Sequence, residues 1–228
     1  MRNLLIILSL LFLCTTSISA LAENRKDVPE YTVEGLKLVP DTKDIALVWA
    51  EPGADLAQYD RIYLVDPYVA FKKNWQRNFN RDSMTKVRTN DMERIKKAVK
   101  ELFIEVFTEE LEAGGYNLTT DRTEDVLVVR PAVIDLDVYA PNIQSSSRTE
   151  SFSDSAGSMT LYMELYDAET NDLIAKAMDA KADRGSNIMQ WATGPSNRAA
   201  GKRMMRPWAQ ALVKGLDRAR DVTRQDKD

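Results

Sequence analysis

"SMTLYMELYDAETNDLIAKAMDAKAD" (158–183) holds two strand-length runs separated by a short polar break. In the first run Met159, Leu161, Met163 and Leu165 alternate with Thr160, Tyr162, Glu164 and Tyr166, the two-residue period of a strand buried on one face. The break "DAETND" (167–172) is rich in residues whose side chains close turns, so 158–168 and 173–183 predict an antiparallel hairpin. A sheet that is apolar on one face needs a cover on that face.

Working outward, "DVLVVRPAVIDLDVYA" (125–140) alternates in the same way, with Ile134, Leu136 and Val138 set against Asp135, Asp137 and Tyr139. "YNLTT" (116–120) and "IALVWA" (45–50) are shorter strand candidates, and "RIYLVDPYVAF" (61–71) is a strand interrupted by Asp66-Pro67, which marks an edge or bulge. The cover is helical. From a cap at Asn90, with Glu93 as capping-box partner, Met92, Ile95, Val99, Leu102, Phe103, Val106, Phe107 and Leu111 recur at three- and four-residue intervals until Gly114-Gly115. Such a stripe could hold a hydrophobic ligand; packing into a core is its commoner use. A second helix over 197–222, capped by Ser196, sets Met205, Trp208, Leu212, Leu216 and Ala219 on one side, with Pro207 bending or restarting it. The expected fold is α+β: a two-layer sandwich in which two main helices cover a mainly antiparallel sheet of about four to six strands. Residues 23–44, with Pro29 and Pro40, read as a loosely ordered entry segment, 45–222 as one domain and 223–228 as a charged tail.

Residues 1–22 read as an export signal: Arg2, an apolar run from Leu4 to Leu13 too short to span a bilayer, and small residues at Ala20 and Ala22 before the cleavage point. Cys14 is the single cysteine. Lipoprotein processing needs a small residue before the modified cysteine, and Leu13 and Phe12 are bulky, so the expectation is cleavage after Ala22 and a free periplasmic chain. The alternative is an outer-membrane lipoprotein anchored at Cys14. The whole chain has a net charge of −4 and no basic footprint for nucleic acid.

The sequence has no histidine, and after cleavage no thiol. Triads built on histidine, histidine-ligated metals and thiolate zinc sites are therefore excluded, and no Gly-rich phosphate loop is present. Carboxylate, lysine and hard-cation chemistry survive. No cofactor is expected.

The least ordinary segment is "KKNWQRNFNRDSMTKVR" (72–88), where Lys72, Lys73, Arg77, Arg81, Lys86 and Arg88 face a single acid, Asp82. Lys72, Lys73, Trp75, Arg77 and Arg81 are the candidate anion- or partner-binding residues, for an envelope protein or an anionic envelope component. The plainer reading, a solvated crossover pinned by Trp75 and Phe79, is favoured. Arg198, Lys202, Arg203 and Arg206 form a second basic cluster, read chiefly as a solvated helix face. Asp135 and Asp137 share a strand face, as paired carboxylates for glycoside cleavage or calcium would, though solvent-facing acids are commoner there. Asn117-Leu118-Thr119 matches a glycosylation acceptor and is read as accidental, because it lies in a strand.

The phrases "PGADLAQYDRIYL", "KNWQRNFN", "NDMERIKKAVKELFIEVFTEELEAGGY", "EDVLVVRPAVIDLDVYAPN", "SAGSMTLYMELYDAETNDLIAKAMD" and "SNRAAGKRMMRPWAQAL" together resemble the bacterial envelope family known as domain of unknown function 3313, from about Gly35 to Leu216. The resemblance implies a Gram-negative envelope protein, often a lipoprotein, without an established activity, and it brings no catalytic residues. This chain departs from the lipoprotein members at Leu13. The expected function is a non-catalytic envelope binding or accessory protein. The alternatives are a carboxylate-dependent hydrolase of envelope polymers and a lipid carrier with a cavity between sheet and helices.

Overall fold

The computed structural model describes residues 28–83, 86–139, 152–153, 157–183, 190–191 and 194–225. The signal segment with Ala20, Ala22 and Cys14 lies outside them, and the sheet and helices all belong to the unit that begins at Tyr31. The sheet has eight strands: β1 (Lys37–Leu38), β2 (Leu47–Ala50), β3 (Arg61–Leu64), β4 (Tyr68–Phe71), β5 (Asn117–Leu118), β6 (Val126–Val138), β8 (Gly157–Asp167) and β9 (Leu173–Ala182). A separate pair joins β7 (Phe152–Ser153) to β10 (Gln190–Trp191). The helices are α1 (Trp75–Asp82), α2 (Thr89–Ala113) and α3 (Gly194–Gln225).

The α+β class holds, with more strands than the expected four to six. The increase comes from β1, whose two residues are too few for a period to be read, and from the run 61–71, which divides into β3 and β4, while β5 falls inside the expected strand 116–120. The segment read as a loose entry thus supplies an edge strand, and Leu36 before it is buried.

The hairpin of β8 and β9 is as expected. Asp167 Oδ1 accepts the Glu169 N–H at 2.8 Å and the Thr170 N–H at 2.7 Å, and Asn171 takes a left-handed backbone at φ 59°. From β8 outward the sheet runs antiparallel through β9 and β2 to β1, and antiparallel to β6. Beyond β6 the pairing is parallel: β3 and β4 both lie beside β6, and β5 beside β3. The sheet is therefore mainly antiparallel, as expected, with a short parallel part on the far side of β6. The chain returns from β4 through α1 and α2, and a helical crossover brings the next strands back parallel.

The Asp66-Pro67 interruption divides β3, which lies between β5 and β6, from β4, which pairs with β6 alone and carries a register shift between Val69 and Phe71. The gap also explains Pro131 in mid-strand. Val65 N–H donates to Val129 O, so residue 129, and two residues on residue 131, present their backbone groups to the β3–β4 side. The N–H that proline lacks points at the break between those strands.

One core joins both helices to the sheet: Phe103, Val106, Phe107 and Leu111 of α2, Met205, Trp208, Leu212 and Leu216 of α3, and Leu127, Val129, Val133 and Leu161 beneath them. Helix α2 starts one residue before Asn90. The Arg88 N–H donates to Asp91 Oδ2 at 2.9 Å, so Asp91 acts at the cap and Glu93 instead pairs with Lys96. At the other end Gly115 (φ 83°) lets Tyr116 N–H reach back to Leu111 O, closing the helix as Gly114-Gly115 promised. Helix α3 begins at Gly194, so Ser196 lies within it and is not its cap, and it continues through Pro207 to Gln225.

Stability should be insensitive to pH across neutrality, because no histidine titrates there. Arg61 and then Thr123 bond Asp125 and hold its carboxyl well below the usual range. Lys176 and Thr32 lower Glu34 to about 2. Burial, and then hydrogen bonds to Asp167, Asp217 and Glu164, push the Tyr59, Tyr116 and Tyr162 hydroxyls up. Lowered carboxyls contribute stability above their unfolded pKa and lose it as pH falls through the folded value; raised tyrosines contribute below theirs and lose it as pH rises. The expected melting temperature is flat from about pH 6 to 9, falling below about 4 and above about 10. A sloping titration between pH 6 and 9 would contradict this.

Candidate functional site

Within the segment 72–88, Trp75–Asp82 form α1. Trp75, buried at 5% exposure, stacks on Phe71 at 4.3 Å and on Phe79 at 5.5 Å, and its indole N–H donates to Val138 O. Asn80 grips the far end: its side chain accepts the Val87 N–H and donates to Val87 O. Of the candidate cations, Lys72 pairs with Asp137 at 3.3 Å and Arg81 with its neighbour Asp82 at 2.8 Å. Lys73 and Arg77 are exposed. Trp75 is thus the anchor of α1, and the basic side chains are its solvent face.

Asp135 and Asp137 are not the simple pair that alternation implied. Asp135 has φ 50° in a bulge that shifts the β6–β8 register, which places Leu136 on the core face together with Val133 and leaves Ile134 on the other. Asp137 is bound to Lys72 while Asp135 is exposed. Nor is the second basic cluster a free face. Arg198 and Lys202 pair with Glu105, Lys202 and Arg206 with Glu109, Arg206 with Glu110, and Arg203 with Asp183. The pairs to Glu105, Glu109 and Glu110 form an ionic seam between α2 and α3, while Arg203–Asp183 ties α3 to the residue after β9, and each exposed pair is worth about 0–1 kcal/mol. Asn117 begins β5 at the edge of the sheet.

The structure also holds a cavity that no motif announces. It has a volume of about 350 Å³ and opens where α2 and α3 diverge over the ends of β6 and β8. Its walls are Ile95, Val99 and Leu102 of α2, Met159 of β8, and Met204 and Met205 of α3. The α2 stripe therefore has two fates. From Leu102 to Leu111 it is buried in the core, whereas Ile95 and Val99 are only half-buried and face the cavity. Gly201 lets the helices close at the floor, since a Cβ there would stand 2.6 Å from Leu102 Cδ2. Arg94, Ala98 and Arg198, all exposed, stand at the mouth. Among the described residues no group of three or more Asp, Glu, His or Cys could hold a metal ion, and no helix is long and apolar enough to cross a membrane.

The family model "Protein of unknown function (DUF3313)" matches residues 31–212. The chain belongs to that family. No curated protein matches it. Among solved structures it is similar to the PelC dodecamer from Paraburkholderia phytofirmans, with 13% identity, a TM-score of 0.35, and coverage of 73% of this chain and 96% of that one. It is also similar to a Xanthomonas campestris protein of the DUF330 family, at 13% identity and a TM-score of 0.42, covering 77% of this chain and 93% of that one. A minor lipoprotein from Acinetobacter baumannii aligns at 10% identity and a TM-score of 0.33, covering 71% and 95%. Overlaps of this size say nothing about what the chain does.

Proposed function

We propose that this protein is a non-catalytic binding or accessory module of the bacterial cell envelope, and that it binds an apolar ligand in the cavity between α2, α3 and the sheet. The observation behind this reading is the α2 stripe, which continues apolar for two turns beyond its fully buried part as half-buried Ile95 and Val99, and these line a cavity of the size that small-molecule sites have. Membership of the family and the leader sequence support export, with partners among envelope proteins or anionic envelope components. The rival hydrolase reading has less support, because Asp137 is already paired with Lys72 and the bulge breaks the register between it and Asp135.

The test uses N-phenylnaphthylamine, a neutral dye that fluoresces in apolar surroundings. It should bind stoichiometrically to the purified protein, and Ala98→Phe at the exposed mouth should block it without lowering the melting temperature. Absence of enhancement with the parent, or unchanged binding by Ala98→Phe, would rule out the cavity as a ligand site. Export is checked by intact mass: the mature chain should begin at Glu23, unlipidated and released by osmotic shock, and a species beginning at an acylated Cys14 would refute that. Turnover of peptidoglycan that is lost in Asp137→Asn would refute the non-catalytic part.

A further inference from the structure

The mouth of the cavity carries chemistry that its walls do not, and it specifies the ligand further. Arg94 and Arg198 come from different helices and both line the opening. Each is held by an acid that has a second partner. Asp91 bonds Arg94 through Oδ1, at 2.6 Å, while its Oδ2 accepts the Arg88 N–H. Glu105 bonds Arg198 through Oε2 while its Oε1 takes Lys202 Nζ at 2.6 Å. Either arginine can therefore turn toward the cavity without orphaning a carboxylate, and exposed pairs of this kind cost little to open. The acid in the lining, Asp137, is neutralised by Lys72 at 3.3 Å and does not repel an anion.

We infer that the cavity binds a single-chain amphiphile with an anionic head: the acyl chain lies along Ile95, Val99 and the methionines, and the head sits between the Arg94 and Arg198 guanidinium groups. This rests on the proposed apolar binding and adds the charge and the chain number. The walls offer methionine and small aliphatic surface, which adapts to a linear chain, and a guanidinium fork matches either a carboxylate or a phosphate.

Competition against N-phenylnaphthylamine tests it with three ligands kept below their micelle concentrations: dodecanoate, a lysophosphatidylglycerol and dodecanol. Dodecanoate, the lysolipid or both should displace the dye more strongly than the neutral alcohol, and added salt should weaken the anions alone. The double variant Arg94→Gln/Arg198→Gln should lose roughly tenfold or more in affinity for the anion and keep its affinity for dodecanol and the dye. A preference for dodecanoate over the lysolipid identifies a carboxylate head, and the reverse a phosphate head. Dodecanol binding as tightly as both anions, or a double variant that binds the anions like the parent, overturns the inference while leaving apolar binding intact. Loss of dye binding by the parent is the separate failure that removes the apolar reading itself.

Discussion

Trp208→Ala should lower the stability of this protein by about 3–5 kcal/mol, the usual cost of emptying a buried tryptophan site. Trp208 is fully buried at the centre of the α3 face, and its indole N–H donates to Asp179 Oδ2 at 2.7 Å. Asp179 sits in β9 at 7% exposure; its Oδ1 accepts the Ala46 N–H just before β2, and Lys181 approaches its Oδ2 at 2.9 Å. One side-chain pair thus ties the last helix to two strands that are distant in sequence. Truncation removes the ring and also leaves a buried carboxylate short of a donor, so the cavity figure is a floor. Against a total stability of about 5–15 kcal/mol for a domain, that loss moves the melting temperature by many degrees. Trp208→Phe keeps most of the apolar area and should cost about 1–3 kcal/mol, through the lost donor alone. Urea denaturation of the two variants, with Asp179→Ala to close a double-mutant cycle, measures the coupling. A Trp208→Ala variant as stable as the parent would show that the core does not depend on this residue.

Sequence patterning reached the parts of this fold that repeat. Met159, Leu161, Met163 and Leu165 alternate because β8 has one face on the core, and the α2 residues from Leu102 to Leu111 recur at helical spacing for the same reason. It failed where a single backbone angle decides. "IDLDV" (134–138) alternates cleanly, yet the left-handed Asp135 shifts the parity, and aspartate's tolerance of that region is too weak a signal to locate it. The mainly antiparallel sheet was legible, but its parallel part was not, because β3, β4 and β5 are too short to show the continuous apolar runs of a buried parallel sheet; the strand-to-helix-to-strand order was the available cue. The cavity was hidden by a different degeneracy. Ile95 and Val99 continue the period of Leu102 and Val106, and hydropathy is the same whether a residue meets a neighbour or an empty space. Even the ionic seam was half visible: Arg198, Lys202 and Arg206 recur every four residues, as do Glu105 and Glu109, but only the fold turns one row toward the other.

The second large effect is expected at Trp75, where two readings of the basic segment part company. If residues 72–88 were a solvated loop whose aromatic is held out for a partner, removing the indole would leave the free protein unchanged. The geometry requires the opposite. Trp75 lies between Phe71 at the end of β4 and Phe79 one turn further along α1, and it bonds Val138 O, next to the bulge of β6. It therefore joins α1 to both strands that support the segment. Trp75→Ala should cost about 3–5 kcal/mol, with Trp75→Phe intermediate because it keeps the stack and loses the bond to Val138. Lys73→Gln and Arg77→Gln, exposed on the same helix, should stay within about 0.5 kcal/mol. Measuring all four by urea denaturation separates packing from charge in one series. If Trp75→Ala melts with the parent, α1 is not anchored as described, and Trp75 becomes free for recognition. If instead the charge variants are the destabilised ones, the exposed Lys73 and Arg77 matter more to α1 than its aromatic stack.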